Sequence, residues 1–162
     1  RDQLLRAPHF RAPERTLGLV WAAAERVGAD GALIIQSQNP GHYAFAAVAA
    51  QDLDEFYRRE LGFRAELGYP PFKRLAIVTT RAADAGGTRR LADTVGAALR
   101  GRAGLTVYPP AAEGKDRALR TVVKGDAELP RLLEEALGEF KTPRRASRGI
   151  IDVEVDPVEW PF

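Results

Sequence analysis

Two groups of cations are the residues of this 162-residue chain whose types and spacing best suit chemistry. Lys115, Arg117, Arg120 and Lys124 run from a polar loop into the apolar run Leu119–Val123, and the even spacing of Arg120 and Lys124 sets both on one face of a strand. Lys141, Arg144, Arg145 and Arg148 fill a second polar segment that contains no acidic residue. Either group could hold phosphate as a positioning charge without reading sequence. Either could equally be a solvated loop balancing nearby acids. The two segments lead into strands with different neighbours, so the sequence leaves open whether they share an end of the fold.

Other chemistries find little support. Gly114-Lys115 is followed by Asp116 rather than Ser or Thr, and Pro109 stands where a phosphate loop needs its first glycine. No GxGxxG motif occurs. His9 and His42 lie far apart without an HExxH motif, and read as exposed loop residues rather than ligands. Ser37 and Ser147 lack the setting of a nucleophile elbow. Asp152, Glu154 and Asp156 could in principle hold Mg²⁺, but alternation on a strand produces a solvated acidic face without any metal. The absence of cysteine excludes disulfides, thiolate zinc sites and a cysteine nucleophile. No metal site and no catalytic constellation is expected, and the chain alone is expected neither to bind nor to hydrolyse ATP.

The elements that must position the cations follow from composition and periodicity. Apolar residues at 45% and charged residues at 28% describe a globular chain and exclude a disordered or collagen-like one. The longest strongly apolar stretch, Leu17 to Ala24, is too short to span a bilayer, and no signal-peptide pattern opens the chain. The chain begins at Arg1 and has no methionine, and so reads as a fragment of a longer protein. The net charge of +2 is segregated: Lys73 to Arg102 holds seven bases against two acids, whereas Asp126 to Phe140 holds five acids and one base. Basic blocks of this kind are compatible with a local nucleic-acid face.

The first 70 residues read as mostly helical. Pro13 and Glu14 open a largely buried helix through Leu17–Ala24 that ends near Gly28. Ala32 to Gln36 reads as a short strand, and Asp52 as the cap of a second long helix. After Pro70-Pro71 the pattern changes. Leu75–Thr80, Leu105–Tyr108, Leu119–Val123 and Ile151–Val155 read as strands, the last with an acidic outer face. Leu91, Val95, Ala98 and Leu99 form one helical stripe, and Leu129, Leu132, Leu133, Ala136, Leu137 and Phe140 another. The order β-α-β-β-α-β is a ferredoxin-like split βαβ, so the fold class is α/β (α+β) with a boundary near Tyr69.

Specific strings then carry a resemblance. Phe10-Arg11-Ala12-Pro13-Glu14-Arg15, a helix, Gly31 to Gln36 and Asn39-Pro40-Gly41-His42 resemble the end of the second helicase lobe in the PriA (primosomal protein N-prime) family of bacterial replication-restart helicases. The helix with Phe56-Tyr57, Glu60 and Arg64, followed by Leu67-Gly68-Tyr69-Pro70-Pro71-Phe72, resembles the linker into that family's C-terminal domain. Val155-Asp156-Pro157 looks like the family's closing Asp-Val-Asp-Pro. The resemblance implies a lobe end at residues 1–50, a linker helix at 51–70 and a C-terminal DNA- and partner-binding domain at 71–162. It implies a fold similar to a small-subunit ribosomal protein, which agrees with the strand and helix order.

The family is an ATP-dependent 3′–5′ DNA helicase whose full-length members bind ATP with Mg²⁺ and, upstream of the matched part, zinc. Where the family's last helicase motif reads Gln-Val-Ala-Gly-Arg-Ala-Gly-Arg, this chain has Ala22-Ala23-Ala24-Glu25-Arg26-Val27-Gly28-Ala29. Ala22 replaces the glutamine, Glu25 the first glycine and Ala29 the terminal arginine, and Arg26 survives in a changed frame. Loss of an arginine that neutralises charge on a transferring phosphoryl group implies decayed ATP-driven unwinding. The resemblance implies forked or single-stranded DNA, single-strand DNA-binding protein and primosome or helicase-loader proteins as partners, in the cytoplasm at the nucleoid. It makes Lys115, Arg117, Arg120, Lys141, Arg144, Arg145 and Arg148 the candidate DNA contacts. A competing reading is a stand-alone ferredoxin-like module for RNA or a small effector.

Overall fold

The computed structural model describes residues 10–28, 30–112, 117–141 and 149–157, with Lys141 described through its backbone. It divides between Leu67 and Gly68 into two compact units.

The first unit is helical: α1 (Ala12–Ala24), α2 (Tyr43–Ala50) and α3 (Leu53–Leu67). Pro13 lies in the first turn of α1, where its missing N–H costs nothing. The helix is far less buried than its apolar sequence suggests: it buries Ala12, Thr16 and Leu17, while Leu19 is 60% exposed. Ala24 ends it, earlier than Gly28. The apolar run at residues 31–37 is not a strand, and Ile34 is 90% exposed. Strand propensity is realised only beside a partner strand, and the described residues of this unit provide none. The core of the unit is Leu17, Ala44, Ala47 and Phe56, flanked by Trp21, Tyr43 and Val48. Asp52 caps α3 by accepting the Glu55 N–H at 2.9 Å, as the sequence predicts.

Helix α2 starts at His42, whose Nδ1 accepts the Ala44 N–H at 3.2 Å. That acceptor requires an unprotonated Nδ1. Burial pulls the imidazole below its ordinary pKa, against the opposing pull of the Glu60 carboxylate. A group whose folded pKa lies below its unfolded value stabilises the fold fully above the unfolded value, and that stability is lost as pH falls through the folded one. The first unit is therefore expected to lose about a helix cap's worth of stability, roughly 1 kcal/mol, as pH falls below about 6.5. Denaturant melts from pH 8 to 5 would show the step, and His42→Asn, which caps without titrating, should abolish it.

The second unit contains β1 (Arg74–Arg81), α4 (Ala85–Arg100), β2 (Thr106–Val107), β3 (Ala111–Ala112), β4 (Leu119–Gly125), α5 (Leu129–Leu137) with a 3₁₀ turn (Gly138–Lys141), and β5 (Ile150–Val155). The sheet order is β2-β4-β1-β5 with every pairing antiparallel, and β3 adds a short rung to β4. Apart from that rung, this is the mixed α/β order read from the sequence. Helix α4 buries Thr88, Leu91, Ala92, Val95, Gly96 and Leu99 at helical spacing, and α5 buries Leu129, Leu133, Ala136 and Leu137. Both stripes close over Ala76, Val78 and Val123 to form the core.

Gly149 shows how tightly β5 is set against β1. Its φ is +150°, and a Cβ there would lie 2.3 Å from the Arg81 carbonyl oxygen and 2.8 Å from Leu91 Cδ2. Gly149→Ala is expected to destabilise this unit by at least about 2–3 kcal/mol, since neither backbone nor core side chain can give way. Gly138→Ala, where an added Cβ meets nothing within 4 Å, is the near-neutral control in the same denaturation experiment.

Candidate nucleic-acid interface

The register of the sheet decides how the two basic segments relate. Thr80 pairs with Leu119, the first residue of β4, and Arg81 pairs with Ile150, the first residue of β5. The strands that both segments feed therefore begin side by side, at the end of the sheet where β1 leaves it. Thr80 Oγ1 donates to the Leu119 carbonyl at 3.2 Å, which closes that end. Arg117 Nη1 donates to the Ala83 carbonyl in the β1–α4 turn at 3.4 Å. The turn itself is fixed by Asp84, which accepts the Gly87 N–H at 2.6 Å, and by Thr88 Oγ1, which accepts the Ala82 N–H at 2.9 Å.

The second segment is anchored at the same end from both sides. Phe140, one residue before Lys141, shares a cleft of about 450 Å³ with Ala82, Ala83, Asp84 and Arg90. Gly149, one residue after Arg148, lies against the Arg81 carbonyl. Arg81, Arg90, Arg117 and Arg120 thus stand near the point where both basic segments are tethered. Lys115, Arg144, Arg145 and Arg148 lie outside the described residues, as does Ala29 of the altered helicase string. The described part of that string closes α1: Ala22 is exposed in the last turns, and Glu25 accepts the Trp21 indole N–H at 3.0 Å. Arg26 is exposed just beyond the helix.

The opposite end of the sheet is neutralised. Lys73 Nζ lies 2.5 Å from Asp126 Oδ1, and Arg74 Nη2 lies 2.5 Å from Asp156 Oδ2. Two of the seven bases counted between Lys73 and Arg102 are therefore matched by acids from the acidic stretches. The net charge of +2 conceals an ion-paired end of the sheet, opposite the end from which both basic segments lead.

Lys124 differs from its expected role as an exposed phosphate cation. It shares a face with Arg120, as the spacing implies, but it is only 7% exposed. Its ammonium lies 3.8 Å from the centre of the Tyr69 ring and 5.2 Å from that of Tyr108. Alternation gives the face of a strand residue and not its depth. Sequence reasoning passed over both tyrosines as participants; the available signal was Tyr108 beside Pro109-Pro110 at a strand end. Among the described residues, no three His, Asp or Glu side chains converge on a point that could hold a metal ion. No helix among them is long and apolar enough to cross a membrane.

The model of the family described as the primosomal protein N C-terminal domain matches residues 65–158, more than half of the chain. The chain belongs to this family. The matched region takes in the described part of the second unit, from the Tyr-Pro-Pro-Phe string through β5. The replication restart protein PriA of Bacillus subtilis (strain 168) is 28% identical over 168 aligned positions, covering 96% of this chain and 21% of that protein. The PriA of Treponema pallidum (strain Nichols) is 33% identical over 172 positions, covering 97% of this chain and 25% of that protein. The PriA of Thermotoga maritima is 35% identical over 82 positions, which cover 49% of this chain. The chain thus spans a quarter or less of the length of these curated relatives. In the first two, similarity to this primosomal protein N family member runs through both units, so the likeness of the helical unit to PriA is not incidental.

Proposed function

We propose that this chain serves as the C-terminal region of a PriA-like replication restart protein and binds forked or single-stranded DNA through the basic end of its sheet. What supports the reading is the common anchorage of the two basic segments, with Leu119 opposite Thr80 and Ile150 opposite Arg81. Cations gathered at one end of a rigid sheet can engage several phosphates at once, and each contact releases condensed counterions. Such binding positions the nucleic acid without reading its bases.

Residues 1–50 are the end of a helicase lobe on this reading, 51–70 a helix leading out of it, and 71–162 the DNA- and partner-binding domain. Single-strand DNA-binding protein and the helicase loader of the primosome are the partners, in the cytoplasm at the nucleoid. Nucleotide with Mg²⁺, and zinc, belong to other parts of a parent protein. Ala22, Glu25 and Ala29 in place of the family's glutamine, glycine and arginine leave such a parent with impaired phosphoryl transfer, so its role is recognition and recruitment rather than unwinding.

The test is a titration of the chain against a labelled forked oligonucleotide at several salt concentrations. The expected result is binding whose log K falls with log salt at a slope of about −3 to −5, the signature of roughly four to six phosphate contacts. Absence of binding at low salt, or a flat salt dependence, would overturn the reading.

A further inference from the structure

We propose that Tyr69 and Tyr108, which flank Lys124, form a stacking platform for the bases of single-stranded DNA on the sheet face turned away from α4 and α5. The inference depends on the DNA-binding reading above and names the groups that would hold the bases once the phosphates are captured.

The register carries it. Thr106 pairs with Lys124 and Val107 with Val123, and the Tyr108 N–H donates to the Val122 carbonyl at 3.0 Å. Residues opposite one another on antiparallel strands share a face, so Tyr108, Arg120, Val122 and Lys124 line one side of the sheet. The buried ammonium of Lys124 lies against both tyrosine rings. It gives the rings a positive surround and holds them in place, so little conformational entropy remains to be lost when a base arrives. Tyr108 nevertheless keeps 40% of its surface exposed. A large ring held in a fixed orientation, half open and next to a cation, is the recurring element of sites that bind single strands.

Spacing and charge place the strand. Arg120 and Lys124 are four residues apart on β4, about 13 Å along the strand, a span of roughly two nucleotides. Across the same face, Asp152 of β5 pairs with Thr79 and Glu154 with Ile77. These exposed acids repel phosphate and confine a nucleic acid to the β2–β4 half, where the tyrosines stand. The path runs from Arg117 and Arg120 at the basic end toward Tyr108 and then Tyr69.

Stacking and phosphate contact separate experimentally, because only stacking needs bases. The chain is titrated with an oligothymidylate and with an abasic strand of equal length, which keeps the phosphates and lacks the bases. The expected result is about five- to a hundredfold tighter binding of the oligothymidylate. Tyr108→Leu, which keeps apolar bulk without a π-face, should remove most of that preference while leaving the salt slope and the abasic affinity unchanged. Tyr108→Phe should retain the preference. Equal wild-type affinity for the two strands overturns the platform whether or not the leucine variant folds, and leaves phosphate binding standing. Wild-type affinity for the oligothymidylate in a folded Tyr108→Leu does the same. Failure of the wild-type chain to bind either strand at low salt overturns both the platform and the DNA-binding reading.

Discussion

Exchanging Arg144, Arg145 and Arg148 for glutamine is expected to weaken binding of a forked oligonucleotide and to flatten its salt dependence by up to about three ion-release units. Each arginine that neutralises a phosphate contributes close to one unit to the slope of log K against log salt. Losing three makes the affinity change between about 50 and 200 mM salt roughly fortyfold smaller. The fold is expected to survive, because single charges of a polar segment contribute about a kcal/mol or less each. The same exchange at Arg117 and Arg120 should remove up to about two further units. A solvated loop that only balances nearby acids predicts no change in either quantity. An unaltered slope in a folded triple variant would remove this segment from the interface and leave Arg117 and Arg120 to be judged alone.

A second large effect is expected in the helical unit. Glu60 is 3% and Arg64 8% exposed. Arg64 Nε donates to Glu60 Oε1 at 2.8 Å, and Arg64 Nη2 lies 2.9 Å from Glu14 Oε2. The Tyr43 hydroxyl donates to Glu60 Oε2 at 2.5 Å. Burial first, and then the Glu60 carboxylate, hold that phenol well above its ordinary pKa. Arg64→Met would leave a buried carboxylate with the tyrosine hydroxyl alone for compensation. It is expected to destabilise the first unit by about 3–5 kcal/mol. Arg64→Met combined with Glu60→Leu removes both charges and should recover much of the loss, because well-packed apolar groups often replace a buried ion pair at little cost. Denaturant melts followed through Trp21 fluorescence, in a chain whose second tryptophan is changed by Trp160→Phe, would measure both. A small effect of the single variant would mean that water reaches Glu60 readily.

The sheet and its two covering helices were legible because each writes a period into the sequence. Leu91, Val95 and Leu99 repeat every four residues, and Ile151, Val153 and Val155 every two. The predicted run Leu75–Thr80 fell within one residue of β1 at each end. Helix α2 was not legible: Tyr43–Ala50 is apolar on all sides, so no stripe marks it, and its signal was the cap at His42 together with alanine's preference for helix. Residues 32–36 have the composition of a strand, but the described residues place no strand beside them.

The cations of the proposed interface are visible in the sequence, since residue type and polar context mark them as candidates. That the strands they lead into begin side by side could not be read, because it belongs to the register of β1 with β4 and β5. Depth was equally hidden. Lys124 has the spacing of a surface cation and the position of a buried one, and the rings that its ammonium faces come from residues 69 and 108, far from it in sequence.

Amide chemical shifts, followed by NMR as a forked oligonucleotide is added to the chain, test most directly which end of the sheet meets DNA. The largest changes are expected at Thr80, Arg81, Leu119, Arg120 and Ile150, where the strands fed by both basic segments begin. Little change is expected at Glu154 and Asp156, at the acidic β5 side of the sheet. Changes concentrated at those two residues, or none at the Thr80–Ile150 end under conditions of saturated binding, would refute binding through the basic end.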